Sequence, residues 1–253
     1  MKKVLAVVLV ALMVLSLGAC GKTESNMTVQ KGKLIIATNA AFPPYEFIAD
    51  DGKSFAGIDI EISEMIAKEL GLELEVQDME FASILTAVQT GKADVAIAAL
   101  TVTEERKQNV NFSSTYATGI QSVIVKADGD VKSIDDLANV DKIGVQEATT
   151  GHIYCEGDYG EDHIIAYSNG AQAVQALIAG KVQCVVIDNS PAKEFVAANE
   201  GLTLLDSAYA EEDYAAAFSK NSEELLKKFN EVLDKKIADG SVQKILDKYI
   251  KAE

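Results

Sequence analysis

The chain has 253 residues, of which 48% are hydrophobic and 25% charged, and its formal net charge is −16. This is a globular composition, with enough residues for one large domain or two small ones. Because nucleic acids are bound through basic patches, the acidic balance argues against a nucleic-acid partner.

Residues 1–19 have the pattern of a secretory signal peptide: Lys2 and Lys3, an apolar run, and small residues before Cys20. The apolar run, Val4 to Leu15, is shorter than the ~20 residues that span a bilayer. The ending "LGAC" resembles a bacterial lipobox and predicts lipidation of Cys20, the alternative being an ordinary signal peptide with a chance cysteine. We interpret residues 20–32 as the lipidated cysteine and a flexible tether, and we expect an extracytoplasmic protein anchored to the cell membrane, at the cell surface or in the periplasm.

Strands and helices alternate along the rest of the chain. The order is strand "KLIIATN", helix "IDIEISEMIAKELG", strand "LELEV", helix "FASILTAVQTG" and strand "ADVAIAAL". We expect Asp59 to cap the first of these helices, Gly71 to end it, and Thr103 to cap a further short helix. This βαβαβ order predicts a mostly parallel sheet that is covered on both faces.

The second half of the chain repeats this organisation. "TAVQTGKADVAIAAL" and "QALIAGKVQCVVIDN" both give a helix, Gly-Lys and an apolar strand. We therefore predict two similar α/β lobes, although unrelated βα units can also look alike. The predicted first lobe comprises residues 33–124 and 213–253, where two closing helices break at Gly240, and the second comprises residues 125–212.

Ligands of open α/β sheets bind beyond the carboxyl ends of the strands. If the lobes face each other, this rule selects one cleft lined by residues 39–45, 98–103, 146–150 and 188–190, with Arg106 just beyond.

Two opposite charges are offered to this cleft. The fork of Arg106, beside the Thr101 hydroxyl and a helix start, suits a carboxylate. Asp188 ends a buried strand, where its charge needs a partner such as an ammonium group. Together they fit a zwitterion. Taken singly, Arg106 could pair with Glu104 or Glu105 at the surface, and Asp188 could cap the following helix.

Aromatic rings and helix amides complete the predicted site. Phe42, in the stiff loop around Pro43 and Pro44, and Phe81 are candidate apolar walls, with core packing as the alternative for Phe81. Thr149 and Thr150 precede a helix whose first amides could bind a carboxylate oxygen, and simple capping is their alternative.

No nucleophile–base pair, paired catalytic carboxylates, phosphate loop or metal-ligand spacing is present, so we expect neither enzyme activity nor a cofactor. Cys155 and Cys184 could form a disulfide in an exported protein or remain two buried thiols.

The sequence resembles the polar-amino-acid-binding proteins of ABC transporters, extracellular solute-binding family 3, over about Lys33 to Ile250. The resemblance rests on "ATNAAFPPYEF", "GIDIEISEMIAKELG", "GKADVAIAALTVTEERKQNVNFS", "GVQEATTG" and "GKVQCVVIDNSPA". It implies the two-lobe, type II periplasmic-binding-protein fold, with two crossovers as a hinge that closes on one ligand. It also implies a monomer that binds an amino acid and delivers it to a membrane permease.

The resemblance assigns roles to individual residues. The residue matching Arg106 clamps the ligand α-carboxylate, assisted by those matching Thr101 and Thr150, and the residue matching Asp188 holds the α-ammonium. The backbone of Ala99 would lie against the amino group, and Phe42 and Phe81 would sandwich the side chain.

The chain also departs from the pattern of the family. Asn39 stands where binders of basic amino acids often carry an acid, and Ala98 and Ala99 replace serines. Gln146 and Glu147 could still contact a side chain. These residues favour a neutral polar ligand such as glutamine, then a basic amino acid, then a cystine-type ligand. The remaining alternatives are a sensor or a dehydratase-like enzyme, for which Glu46 and Glu147 are the candidate acids.

Overall fold

The computed structural model describes residues 27–206 and 208–250. The predicted signal peptide, residues 1–19, and Cys20 lie outside the described residues. Within the described ranges, no helix combines the length and the apolar character that crossing a membrane requires.

The strands, in chain order, are β1 Lys33–Thr38, β2 Ala41–Phe42, β3 Glu46–Ile48, β4 Phe55–Ala56, β5 Glu73–Asp78, β6 Val95–Ala96, β7 Val110–Phe112, β8 Ala117–Lys126, β9 Ile143–Gln146, β10 Ile164–Tyr167, β11 Cys184–Asp188, β12 Leu202–Leu204, β13 Ala210–Tyr214 and β14 Ala217–Ser219. The α-helices are α1 Ile58–Glu69, α2 Phe81–Gln89, α3 Glu104–Asn109, α4 Thr150–Tyr159, α5 Gly170–Ile178, α6 Asn189–Ala198, α7 Glu223–Ala238 and α8 Ser241–Tyr249. Two 3-10 turns cover Ile134–Asn139 and Glu161–His163.

The first lobe is built on a five-stranded sheet with the order β5-β1-β6-β14-β7. The pairs β1–β5 and β1–β6 are parallel, and β14 runs antiparallel to β6 and β7. Alternate residues of β1 enter two separate cores: Leu34 and Ile36 pack with α1, α7 and α8, whereas Ile35 and Ala37 pack with α2. The continuous apolar run of this strand is therefore explained by burial on both faces.

The second lobe has the same arrangement. Its strand order is β10-β9-β11-β8-β12, in which β9 is parallel to both of its neighbours and β8 is antiparallel to β11. In each lobe, three parallel strands lie side by side with the first of them in the chain at the centre (β1 or β9). An antiparallel strand (β14 or β8) then pairs with the last of the three (β6 or β11). The predicted similarity of the two lobes is confirmed at the level of sheet order, and the sheets are mixed rather than mostly parallel.

The chain crosses between the lobes earlier than the predicted boundary at residues 124 and 125. Strand β8 begins at Ala117 and lies wholly in the second sheet, paired with β11 and β13. The crossovers are the segments 113–116 and 215–216. They run side by side, with the Ser113 amide donating to the Ala216 carbonyl (2.8 Å) and the Tyr116 amide to the Tyr214 carbonyl (3.0 Å). The loop of glycine and aspartate residues at 128–130, close to the predicted boundary, follows the end of β8 within the second lobe.

The predicted flexible tether is also shorter than residues 20–32. Thr28 is only 5% exposed, and the Val29 amide donates to Asp94 Oδ1 (2.6 Å). The other Asp94 oxygen accepts from the Ile35 amide in β1 (2.8 Å). The chain is therefore docked on the first lobe from the first described residues onwards.

Local signals fix several helix ends. Gly71 (φ +69°) follows α1, Gly240 (φ +79°) separates α7 from α8, and Thr103 caps α3 by accepting from the Arg106 amide (3.1 Å). The prediction that Asp59 caps α1 is wrong, because the N-cap is Gly57. A Cβ at Gly57 would lie 2.2 Å from the Tyr45 carbonyl oxygen, so only glycine fits.

The two cysteines remain free thiols in one core of the second lobe. Burial raises the pKa of both Cys155 and Cys184 to about 12. Of the two alternatives that the sequence left open, the structure has two buried thiols and no disulfide between them.

Candidate ligand-binding site

A cavity lies between the two lobes, at the carboxyl ends of their central strands, and the empty space in it, together with the open solvent at its mouth, amounts to about 340 Å³. The first lobe lines it with Asn39, Phe42, Glu46, Phe81, Ala98, Ala99, Thr101 and Arg106, and the second lobe with Gln121, Gln146, Thr149, Thr150 and, at the end of β13, Tyr214.

The residues that the strand-end rule selected lie together around this cavity. Every predicted site residue except Asp188 lines the cavity. The residues come from separate parts of the chain because the parallel strands of both lobes point their carboxyl ends at the same gap.

Arg106 is the buried cation of this cavity, with 8% of its surface exposed. Its two terminal nitrogens donate to the carbonyl of Thr101 in its own lobe (2.9 Å) and to that of Ala148 across the cleft (3.0 Å). Within the described ranges, no carboxylate lies at ion-pair distance from it. The surface pairing with Glu104 is not formed, because Lys107 binds Glu104 instead. Burial lowers the pKa of Arg106, and the Glu212 carboxylate, which is beyond ion-pair distance, opposes this shift, so a direct anionic partner would further stabilise the guanidinium.

Asp188 lies one layer behind the cavity wall and is 1% exposed. One of its oxygens accepts from the Ser190 amide (3.0 Å). Asp188 therefore caps α6, which was the alternative to ligand binding in the sequence analysis. The other accepts from the Tyr214 hydroxyl (2.7 Å) and the Ile120 amide (3.1 Å). Burial nevertheless raises its pKa to about 6. Tyr214 therefore stands between Asp188 and the cavity.

Hydrogen bonds across the cleft show that the lobes are closed on the cavity. Gln146 Nε2 donates to Asn39 Oδ1 (3.0 Å), and the hydroxyls of Thr101 and Thr150 are 3.3 Å apart. Asn39 Nδ2 in turn donates to the Met79 carbonyl (2.9 Å). Both groups of the Asn39 amide are thus occupied, one within its lobe and one in lobe closure.

The two phenyl rings hold different positions. Phe42 packs against the main core of the first lobe and also against a core of the second, so it bridges the lobes. Phe81 begins α2, as predicted, and its ring centroid lies 5.6 Å from the Arg106 guanidinium carbon. This is a cation–π contact that helps to orient the guanidinium.

Strained backbone borders the cavity in both lobes. In the described residues, Ala99 (φ 44°) and Ala148 (φ 62°) are the non-glycine positions with positive φ. The Ala99 amide donates to Asp59 Oδ2 (2.7 Å), and the Ala148 amide donates to Nδ1 of His152 (3.2 Å). Such strain concentrates at functional sites. Thr149 caps α4 next to it by accepting from the His152 amide (3.2 Å).

Sequence reasoning missed an acidic layer around the cavity. Glu46, considered only for an enzyme, lines the cavity and is 1% exposed, and Asp59 behind it is 0% exposed. Burial and the neighbouring acids raise the pKa of Glu46 well above its ordinary value, and burial raises that of Asp59 to about 7. Glu212 accepts from Thr101 Oγ1 (3.1 Å) and from Gln121 Nε2 (2.9 Å). The letters "AEEDY" carry no apolar–polar alternation that identifies Glu212, and its burial is apparent only from the alternating faces of β13 in the structure.

These features define a two-lobe binding protein that closes on a small ligand. The chain belongs to the bacterial extracellular solute-binding proteins, family 3, whose family model matches residues 34–252.

Individual relatives agree with this assignment. The chain is 32% identical to the arginine-binding extracellular protein ArtP of Bacillus subtilis over 100% of both chains. It is 28% identical to the L-cystine-binding protein TcyJ of Escherichia coli, covering 90% of this chain and 86% of the relative. An ancestral arginine-binding protein solved with glutamine bound is 35% identical, with a TM-score of 0.82 over 88% of this chain and 100% of the other.

Proposed function

We propose that the protein is the extracytoplasmic substrate-binding lipoprotein of an ABC importer, which binds an L-amino acid in the interlobe cavity and delivers it to the membrane permease. The observation that carries this proposal is the buried guanidinium of Arg106, which lines the cavity without a carboxylate partner in the described part of the chain. A ligand carboxylate would supply the missing anion through a charge-assisted, two-point contact.

The proposed pose follows from the positions around Arg106. The α-carboxylate would lie against its guanidinium, within reach of the hydroxyls of Thr101 and Thr150, whose oxygens already face each other across the cleft. The α-ammonium would lie toward Ala99 and the Tyr214 oxygen. Because that hydroxyl donates to Asp188, its lone pairs can accept from the ammonium, and Asp188 would act through it.

Closure is the step that would couple binding to delivery. Ligand groups that contact both lobes stabilise the closed form, since a ligand shifts the equilibrium by its differential affinity for the two states. The antiparallel crossovers at residues 113–116 and 215–216 are suited to a hinge because they are the two segments through which the chain passes between the sheets. The permease would then distinguish the closed, loaded form.

The predicted signal peptide and Cys20 support membrane anchoring of this receptor. We propose that Cys20 carries the lipid, that the protein acts as a monomer, and that the short segment before residue 27 connects the lipid to the first lobe. Metabolic labelling with a fatty acid, compared between the wild type and Cys20→Ala, tests this part separately: label on the variant would exclude Cys20 as the site.

A thermal-shift panel of the twenty L-amino acids tests the function. A ligand that binds only the folded protein raises the melting temperature with concentration. We expect a subset of polar amino acids to do so, and their D-enantiomers to fail, because the carboxylate and ammonium sites lie on fixed walls. No shift with any amino acid would refute the proposed function.

An enzyme is the second candidate, and one observation favours it. Glu46 is a buried acid in the cavity whose pKa is raised well above its ordinary value, as for a general acid. Turnover of a prephenate-like acid by the purified protein, lost in Glu46→Gln, would support a dehydratase. Ligand binding without turnover would support the receptor.

A further inference from the structure

Asp59 is a fully buried acid that does not cap the helix on which it lies. It is the second residue of α1 and 0% exposed, whereas the N-cap of that helix is Gly57. The polar groups that face it from other elements are the Ala99 amide, the Glu46 carboxyl group of β3 and the Tyr116 hydroxyl of the first crossover. None of these three groups carries a positive charge. Burying a carboxyl group costs free energy, so the helix alone does not account for Asp59 at this position.

The contact between Asp59 and Ala99 joins two distant parts of the chain at a strained point. Asp59 Oδ2 accepts from the Ala99 amide (2.7 Å), although the two residues are 40 positions apart. Ala99 has φ 44°, in the left-handed region that a residue with a Cβ rarely adopts. Such a conformation persists only where the surroundings hold it. Asp59 holds the peptide of Ala99 in this conformation by binding its N–H group.

The backbone on both sides of Ala99 is fixed by main-chain hydrogen bonds. Before it, the Ile97 amide donates to the Ala37 carbonyl in β1 (3.1 Å). After it, the Leu100 carbonyl accepts from the Ala215 amide in the second crossover (3.1 Å). Between these two points, a side chain rather than a strand neighbour binds the donor. The direction of that one peptide therefore depends on Asp59.

This direction decides what the cavity wall offers to a ligand. Ala99 lines the cavity, and Asp59 lies behind it, outside the lining. The Ala99 N–H group is therefore directed away from the cavity. An ammonium ion has only donors, so it needs acceptors in its surroundings and is repelled by the partial positive charge of an N–H group. Asp59 thus removes a donor from the wall toward which the ligand ammonium is placed in the proposed pose.

We propose that Asp59 is a positioning residue for recognition of the ligand α-ammonium, which acts by holding the Ala99 amide away from the cavity and in its left-handed conformation. It does not touch the ligand itself. The proposal rests on the proposed function, because it concerns the same site and the pose with the ammonium toward Ala99.

A purely structural role of Asp59 would give a different result. If Asp59 only fastened α1 to the wall, its loss would loosen the closed form and weaken every ligand alike. If it positions the Ala99 amide, its loss exposes a donor that opposes an ammonium but tolerates a hydroxyl group, whose oxygen can accept. The preference for an α-amino over an α-hydroxy ligand therefore separates the two roles.

Titration calorimetry measures this preference with L-arginine and L-glutamine, each compared with its 2-hydroxy analogue. We expect the wild type to bind the amino acid at least about tenfold more tightly, as for a charged hydrogen bond in place of a neutral one. Asp59→Leu, which has a similar shape but no acceptor, should lower the affinity for the amino acid about tenfold while changing that for the analogue little. Asp59→Asn keeps an oxygen acceptor and should restore most of the preference. Glu64→Leu, at an exposed position of the same helix, is the matched control and should behave as the wild type does.

Each outcome decides the proposal. An equal loss for both ligands in Asp59→Leu, or a preference that this variant leaves unchanged, overturns it while the proposed function stands. Failure of Asp59→Asn to restore the preference also overturns it. Binding of no amino acid to the wild type overturns the proposed function and this proposal together. If Asp59→Leu does not fold, amide hydrogen exchange in the ligand-free wild type and Asp59→Asn decides: we expect slow exchange at Ala99 in both, and fast exchange in the wild type overturns the proposal.

Discussion

The two lobes share a sheet order but present different chemistry to the cavity. The first lobe supplies the arginine and the carboxyl group of the lining, Arg106 and Glu46, and both phenyl rings. The second supplies two glutamine amides, two threonine hydroxyls and the phenol of Tyr214, all of them neutral. A ligand carboxylate would therefore gain its charge-assisted contact from the first lobe, and the second lobe would add neutral hydrogen bonds when it closes. Similar folds thus contribute unequally to one site.

The largest effect is expected from removing the first-lobe cation. Arg106→Met should weaken amino-acid binding by about 100-fold or more, because the ligand carboxylate then lies buried without a partner. Lys107→Ala, which removes an exposed neighbour paired with Glu104, is the matched control and should bind as the wild type does. Titration calorimetry measures both. Wild-type affinity in Arg106→Met would mean that the carboxylate lies elsewhere.

The buried acids give a smaller, pH-dependent effect that compares the lobes directly. Burial raises the pKa from 3.8 to about 7 for Asp59 in the first lobe and to about 6 for Asp188 in the second. Since folding favours their protonated forms, the stabilisation is complete below pH 3.8 and is lost as the pH rises through these values. The melting temperature of the ligand-free protein should therefore fall by several degrees between about pH 5 and about pH 8.

Substitution assigns this fall to its source. Asp59→Asn should flatten the pH dependence of the melting temperature more than Asp188→Asn, because its pKa is raised further. A larger effect of Asp188→Asn, or a melting temperature that rises over this range, would contradict the assignment of the larger pKa shift to Asp59.

The neutral contact of the second lobe should matter less than the charges. Gln146→Ala removes its 3.0 Å hydrogen bond to Asn39 across the cleft and should weaken ligand binding by about five- to tenfold, the value of one or two neutral hydrogen bonds. Gln175→Ala, at an exposed position on α5, is the control. A loss as large as that of Arg106→Met would show that the lobes contribute equally.

The smallest effect is expected for thiol reactivity in the core of the second lobe. This comparison is possible because both cysteines of the folded lobes, Cys155 and Cys184, lie in the second one. A thiol reagent should modify Cys155 and Cys184 slowly in the native protein, because their pKa values of about 12 leave little thiolate. After denaturation without reductant, both should react, and Cys184→Ala should leave one of them. Absence of both thiols would indicate a disulfide. Ligand should not change the native rate, because neither residue lines the cavity.

Local sequence features predicted the parts of this structure that depend on near neighbours. Gly71, Gly240 and Thr103 act where the backbone itself ends or starts a helix, and no distant contact competes with them. The strand-end rule also found the cavity because it depends only on strand direction. The prediction that Asp59 caps a helix was wrong because a distant contact does compete there. Its carboxylate accepts from the Ala99 amide, 40 residues away, and no local pattern reveals this partner.

The lobe boundary and the acidic layer required three-dimensional information. The segment from Ala117 to Lys126 is continuous as a strand, but only its pairing with β11 assigns it to the second sheet. From the sequence, a charged residue such as Glu46 is expected at the surface. It is buried because α1 and the second lobe close around it. Charge alone in a sequence indicates exposure, so a buried acid is identified only when its surroundings are known.

Both ends of the described chain pack on the first lobe. The Val29 amide donates to Asp94, and Tyr249 of α8 donates to Glu61 of α1 (2.6 Å). The second lobe lies between them in the sequence, and the chain enters and leaves it through two adjacent crossovers. A mechanical force, a solid support or a reporter group attached at either terminus therefore acts on the first lobe alone. When the first lobe is held in this way, closure is seen as movement of the second lobe, so a label intended to follow closure has to be placed there.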